Sequence, residues 1–460
     1  MTRYTSATDD DRRQMLAEIG VSSIDDLFSD IPDGVRFGRP LDLPDGASET
    51  DVYDELAALA ARNVHAESET TFLGAGMYDH YVPALVDAIT QRSEFLTPYT
   101  PYQPEISQGG LQAMFEFQTA ISELTGLPVA NASLYEGPSS VAAAAYLAKL
   151  ETGRSRFVVT RALHPHARET LRTYCAGFGS EVEDVAIDAG VTDPDALADA
   201  IDDDTAAVFL QQPNFLGAIE DLEALAPVAK RTGSLLVVSV DALTLGILKP
   251  PGDFGVDIAL GEGQPLGNRL DFGGPSFGFF AAAEQHIRRM PGRIAGETVD
   301  VDGRRGFVLT LQTREQHIRR EKATSNICTS QALNALAGMI YCAWLGKRGI
   351  VELGELMAKR TAYARNRLAQ VEGVELLHDQ PVVHEFALRL DAPVEDVLRH
   401  CADAGVNAGY ALGESYPEFE DGLLVAITER RSRDDIERLV GLVGGGVSGA
   451  RTRAGEAVSA

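Results

Sequence analysis

The chain has 460 residues, 68 Asp and Glu against 40 Lys and Arg, and a formal net charge of -28. So acidic a surface excludes a nucleic-acid binder, whose phosphate partners need cations, and argues against docking on an anionic membrane. The hydrophobic fraction of 45% is enough for a sizeable core, and the length suggests two or three domains. The acids are scattered, as in Asp9, Asp10 and Asp11 or Asp202, Asp203 and Asp204, and lysine stands only at 149, 230, 249, 322, 347 and 359. Such an acidic, lysine-poor surface is what high-salt surroundings favour, because salt screens self-repulsion.

Residues 1–65 read as a helical arm. Thr and Ser precede acids and then apolar residues at helical spacing, including Met15, Leu16 and Ile19 before Gly20. The first residues lack the apolar core of a signal peptide. The most apolar stretch, Leu235 to Leu248, is broken by Asp241 and too short to span a bilayer. A cytoplasmic protein is expected.

Residues 66–325 carry an α/β texture. Short β-branched runs at 156–160, 206–212 and 234–243 alternate with alanine-rich helical runs. Apolar strands alternating with helices predict a mostly parallel sheet covered on both faces. Residues 326–445 open with a long helical run and then alternate in short pieces, as a smaller α+β domain would. The Gly/Ala/Ser-rich residues 446–460 predict a flexible, fraying tail.

Five segments are candidates for chemistry. Residues 74–83, GAGMYDHYVP, have two glycines that permit close backbone approach, ahead of a helix with Pro83 in its first turn. In residues 97–109, three prolines stiffen an extended backbone that carries Tyr99, Thr100, Tyr102, Gln103 and Glu105. Residues 131–148 place Glu136, Gly137 and Pro138 before a long helix. A phosphate cup is one reading of that helix start and a Ser139 or Ser140 cap the better one, because Glu136 would repel phosphate.

Asp241 ends an apolar strand, where pyridoxal-phosphate (PLP) enzymes of the aminotransferase fold put the partner of the pyridine nitrogen. Those enzymes need a Schiff-base lysine a few tens of residues later, yet residues 257–281 contain none. Lys249 sits in a solvated turn and Lys322 beyond a further strand. The fifth segment, 311–333, gathers Arg314, His317, Arg319, Arg320 and Lys322. It reads either as an amphipathic helix with pairs such as Glu315–Arg319, or as a docking or anion-binding edge. The helix after it is expected to be capped by Thr329 or Ser330. His164 and His166 read as a solvated pair, and the four separate cysteines as free buried thiols. No metal site is expected.

Together FLGAGMYDHYVP, YTPYQPEISQG, LTGLPVANASLYEG, GEGQPLGNRLDFGGPSFGFFA and REQHIRREKATSNICTSQAL resemble the N-terminal half of the glycine cleavage system P-protein. The likeness runs from about residue 5 to about 440. It implies the type I aminotransferase-like fold of PLP-dependent enzymes, and a separate alpha subunit of an αβ pair, usually doubled to α2β2. It also implies an oxidoreductase activity, glycine dehydrogenase (decarboxylating). The cofactor lysine would lie on the beta subunit, with no cofactor bound covalently here. The remnant of glycine would pass to the lipoyl arm of the H-protein. Tyr99, Thr100, Tyr102, Gln103 and Glu105 would form an active-site wall that completes the partner's site. The sequence departs from the family at EGPSS, so that loop is assigned no phosphate role. Two alternatives remain open: a non-catalytic stabilising or regulatory subunit, and a self-sufficient PLP enzyme using Lys249 or Lys322.

Overall fold

The computed structural model describes residues 6–271, 274, 276–324 and 327–459, the side chains of 453–459 excepted. The chain divides into two units, residues 1–64 and 65–460. In the first, helix α1 (Asp9–Ile19) opens with a capping box. The Asp11 amide donates to the Thr8 hydroxyl, and the Thr8 amide to Asp11. Gly20, at φ 87°, stops it. Helix α2 (Glu49–Ala60) is capped by Ser48. Neither helix buries a residue.

The second unit is built on a seven-stranded sheet. Its strands are β1 (Val129–Ala130), β2 (Arg156–Thr160), β3 (Glu181–Val185), β4 (Thr205–Gln212), β5 (Leu235–Val240), β6 (Ile258–Glu262) and β7 (Gly278–Ala282). The order is β1-β7-β6-β5-β4-β2-β3. The pairs β3–β2, β2–β4, β4–β5 and β5–β6 are parallel, and β7 is antiparallel to both of its neighbours. Strand alternation explains why the runs are apolar throughout. Val208 and Leu210 of β4 enter the core on one face, and Ala207 and Phe209 the core on the other.

Helices α3 (Ala84–Thr90), α4 (Gln108–Thr125), α5 (Gly137–Thr152) and α6 (Pro165–Gly177) cover that sheet. Ala144, Ala145 and Ala148 of α5 are fully buried on one face, and their small side chains let the helix lie close to the strands. Helix α7 (Ala332–Leu368), kinked at Gly346, runs from the large sheet to a smaller one. That sheet has β8 (Val374–Leu376), β9 (Glu385–Leu390), β10 (Tyr410–Ala411) and β11 (Gly422–Ala426), in the antiparallel order β8-β9-β11-β10. Helices α8 (Val394–Asp403) and α9 (Arg433–Ser459) pack on it.

The tail expected to fray over 446–460 is helical through Ser459. Val447 and Ala450 are buried, and a Cβ at Gly446 would lie 3.2 Å from the Val397 Cα. The glycines are there to let α9 approach α8. No described helix is long and apolar enough to cross a membrane.

Candidate functional site

A cleft of about 350 Å³ opens where β4, β5 and β6 end at their carboxyl edge, the usual ligand position in open α/β sheets. The buried run of β5 delivers Asp241 to it. One Asp241 oxygen accepts from the Leu243 amide at 2.9 Å. The other lies 2.7 Å from Nε2 of His384, the residue before β9. Burial alone would raise the Asp241 pKa, but the His384 charge and hydrogen bond outweigh it and hold the carboxyl below its usual range. Burial likewise works against a charged His384, and Asp241 more than compensates, so its pKa is raised. The two groups form an ion pair in the closed end of the cleft.

The glycine-bearing segment 74–83 threads past this pair. The Tyr78 ring meets His384 edge-on at 4.4 Å, and its hydroxyl donates to Glu385 at 2.8 Å. Glu385 also accepts from the Ala75 amide at 2.7 Å, and burial raises its pKa. His80 Nδ1 lies 2.7 Å from Glu429. Asp79 is salt-bridged to Arg430 and Arg431. The glycines serve close approach: a Cβ at Gly74 would sit 2.3 Å from Glu385 Oε1, and one at Gly76 2.7 Å from the His164 ring.

His164 and His166 are not a solvated pair. His166 is exposed and His164 half-buried, and both line the cleft. Its Nε2 donates to the Ala75 carbonyl at 2.8 Å, and its Nδ1 accepts from the His166 amide at 3.1 Å. Burial pushes its pKa down to about 4, so the ring is neutral, as those two bonds require.

The opposite wall is the start of α5. Its cap is Glu136, not Ser139 or Ser140: the Ser139 amide donates to Glu136 Oε1 at 2.9 Å. The Gly137 amide donates to Glu262 Oε2 at 3.0 Å. The other Glu262 oxygen accepts from the Gln264 amide and the Ser276 hydroxyl. Burial raises the Glu262 pKa. No lysine or arginine lines the cleft among the described residues. Lys249 instead lies 4.5 Å over the Phe254 ring, and Lys322 is exposed. The reading with Lys249 or Lys322 as the cofactor amine is thereby corrected.

Tyr99, Thr100, Tyr102, Gln103 and Glu105 do not line this cleft. Tyr99 is 81% exposed and Tyr102 48%. Gln103 and Glu105 are exposed and Thr100 is half-buried. Tyr99 borders a separate apolar pocket of about 280 Å³ with Pro98, Pro101, Ile106 and Leu336. The Tyr102 hydroxyl accepts from the buried Arg293 at 3.0 Å, and its ring meets His317 edge-on at 5.8 Å. The amphipathic helix expected in the segment 311–333 is broken into short turns over 312–322, with Leu311 and Arg320 at φ 52° and 54°. Glu315 is buried beside Arg293, 3.7 Å away, rather than paired with Arg319. Helix α7 starts after Gln331 with no side-chain cap, so neither Thr329 nor Ser330 fills that place. All four cysteines are free, but Cys328 is exposed and only Cys175 and Cys401 are fully buried. Among the described residues no cluster has the makeup of a metal site.

The fold, with its mostly parallel sheet and an aspartate at the end of β5, is the type I fold of PLP-dependent enzymes. A sphingosine-1-phosphate lyase of Burkholderia pseudomallei shares it at TM-score 0.65 and 17% identity, covering 93% of this chain and 97% of that one. The chain belongs to the glycine cleavage system P-protein family, whose model matches residues 2–443. It is 49% identical over 444 residues to a probable glycine dehydrogenase (decarboxylating) subunit 1 of Geobacillus kaustophilus, covering 96% of this chain and 99% of the relative. A relative of the same description from Carboxydothermus hydrogenoformans is 50% identical over 443 residues, at 96% and 99% coverage. A crystal structure of glycine decarboxylase (P-protein) in inhibitor-bound form superposes at TM-score 0.87 with 43% identity, covering 97% of this chain and 100% of that one.

The cofactor that this fold carries elsewhere does not fit this cleft. It would bring a phosphate to two carboxylates, an aldehyde to a wall without an amine, and a pyridine nitrogen to an aspartate already paired with His384.

Proposed function

We infer that the chain is the first subunit of a two-part glycine dehydrogenase (decarboxylating), and that it completes an active site whose cofactor amine stands on a second polypeptide. The observation that carries this is the contrast between its two candidate regions. The cleft at Asp241 offers no amine. In the stiff segment at 98–105, by contrast, Tyr99, Tyr102, Gln103 and Glu105 are exposed. Groups fixed on such a backbone suit a wall, because little freedom is lost when a substrate arrives.

In this reading the second polypeptide carries the pyridoxal phosphate, which supplies the electron sink for loss of CO2 from glycine. This chain's residues bind and orient. Tyr102, backed by Arg293 and His317, presents its phenol from a fixed direction. Thr100, Gln103 and Glu105 offer hydrogen-bonding groups beside it, and Tyr99 helps to exclude water. The names of the relatives, which say subunit 1, support a partner subunit. An αβ unit doubled to α2β2 and a lipoyl-bearing H-protein as acceptor complete the proposal.

The test is reconstitution. A homologous polypeptide with a cofactor lysine should co-purify with this one, and only the mixture should exchange CO2 with glycine. Tyr102→Phe and Gln103→Ala should then lower the exchange rate without changing assembly. An unchanged rate would favour a purely stabilising subunit.

A further inference from the structure

The cleft contains a helix start of the kind that binds anions, and two carboxylates of the chain lie against it. Helix α5 is 16 residues long, and the free amides and dipole at its start attract a negative group. Two carboxylates of the chain itself already sit there. Glu262 Oε2 is 3.0 Å from the Gly137 nitrogen, and Glu136 Oε1 is 2.9 Å from the Ser139 nitrogen. Glu136 is the cap itself, and Glu262 comes from the end of β6. Glu262 is further anchored by the Gln264 amide at 3.0 Å and by the Ser276 hydroxyl. A Cβ at Gly137 would lie 3.0 Å from the Glu262 backbone nitrogen, so the strand end and the helix start are already in contact.

The far end of the cleft is closed in the same manner. Asp241 faces the His384 imidazole at 2.7 Å, and the Tyr78 ring meets that imidazole edge-on. Pro265, just beyond β6, also lines the cleft and has no amine to offer.

We propose that the chain's own side chains substitute for a phosphorylated aldehyde cofactor in this cleft: Glu136 and Glu262 occupy the place of its phosphate, and His384 the place of its ring nitrogen. The substitution holds together elements that a bound cofactor would otherwise join, the start of α5 to β6 and the end of β5 to β9. It also bars the cofactor, because a phosphate dianion would have to displace the carboxylates that are hydrogen-bonded to the Gly137 and Ser139 amides. Removing those carboxylates reopens the cup to anions.

The test uses the full chain without its partner and reads binding, not activity. Equilibrium dialysis with inorganic phosphate and gel filtration with pyridoxal phosphate are run on the wild type and on Glu136→Ser/Glu262→Ser. Circular dichroism checks that each protein is folded. The wild type is expected to retain neither probe. The double variant is expected to bind phosphate at least about tenfold more tightly than the wild type, a change of about 1.4 kcal/mol. With Pro265→Lys added, it is expected to retain pyridoxal phosphate after borohydride treatment. Should the serine pair not fold, Glu136→Gln/Glu262→Gln keeps an acceptor for the amides, removes the charge, and should still gain phosphate binding. A wild type that holds pyridoxal phosphate displaceable by phosphate overturns the proposal. So does a folded, carboxylate-free variant whose phosphate affinity is unchanged.

Discussion

His384 closes the cleft on Asp241: its Nε2 stands 2.7 Å from the carboxylate, and both side chains are almost wholly removed from solvent. A residue at the entry to the small sheet thus neutralises a carboxylate at the exit of the large one. Breaking such a pair leaves one buried charge without a partner, at a cost of about 3–5 kcal/mol. His384→Ala should therefore lower the urea midpoint sharply. Asp241→Asn combined with His384→Gln should recover part of the loss, because no lone charge remains. Equal midpoints for the single and the double variant would contradict this account.

The same pair sets a pH window. The pKa of His384 is raised, so its contribution is fully present below the ordinary histidine value and is lost as pH rises through the raised one. The pKa of Asp241 is lowered, so its contribution is present above the ordinary carboxylate value and is lost as pH falls through the lowered one. The stability difference between wild type and His384→Gln should be largest between those two ordinary values, in mildly acidic solution, and shrink on either side of that window. Denaturant titrations of both proteins across the pH range measure it directly.

Gly217 offers a steric test of the junction between the sheets. Its φ is +85°, and a Cβ there would lie 2.1 Å from the Glu385 carbonyl oxygen. Gly217→Ala combines left-handed strain with overpacking, together roughly 2–4 kcal/mol. A clear drop in melting temperature is expected, with a shifted Glu385–Tyr78 contact. Gly34→Ala, in open space, is the control.

Tyr99 separates assembly from folding. It is 81% exposed, so Tyr99→Ala should change the stability of the free chain by no more than about 0.5 kcal/mol. If the proline segment meets the partner, the same change should weaken pairing by about 1 kcal/mol or more, as for a truncated interface aromatic. Urea unfolding of each free chain gives the first number, and calorimetric titration of the purified partner into each variant gives the second.

The net charge of -28 predicts a response to salt. From about 0.01 M to about 1 M the screening length falls from about 30 Å to about 3 Å, which suppresses self-repulsion. The melting temperature should rise over that range. Full stability in low salt would mean that the acidic surface is spaced widely enough to need no screening.

Much was legible from the chain order of residues alone. The apolar runs of β4 and β5 are buried on both faces, so their composition announced a covered parallel sheet, and Asp241 stood out as the carboxylate that ends one of them. The missing lysine after it could be read directly. These are local properties, and local sequence encodes them through burial and allowed dihedrals. Tertiary structure alone decided that His384 meets Asp241, that Glu262 rather than a serine reaches the start of α5, and that Glu315 turns inward to Arg293. It also turned the glycines near 446 from an expected tail into a helix contact. Each of these joins residues distant in the chain, and such a pairing depends on how two sheets and their helices dock, which no periodicity records.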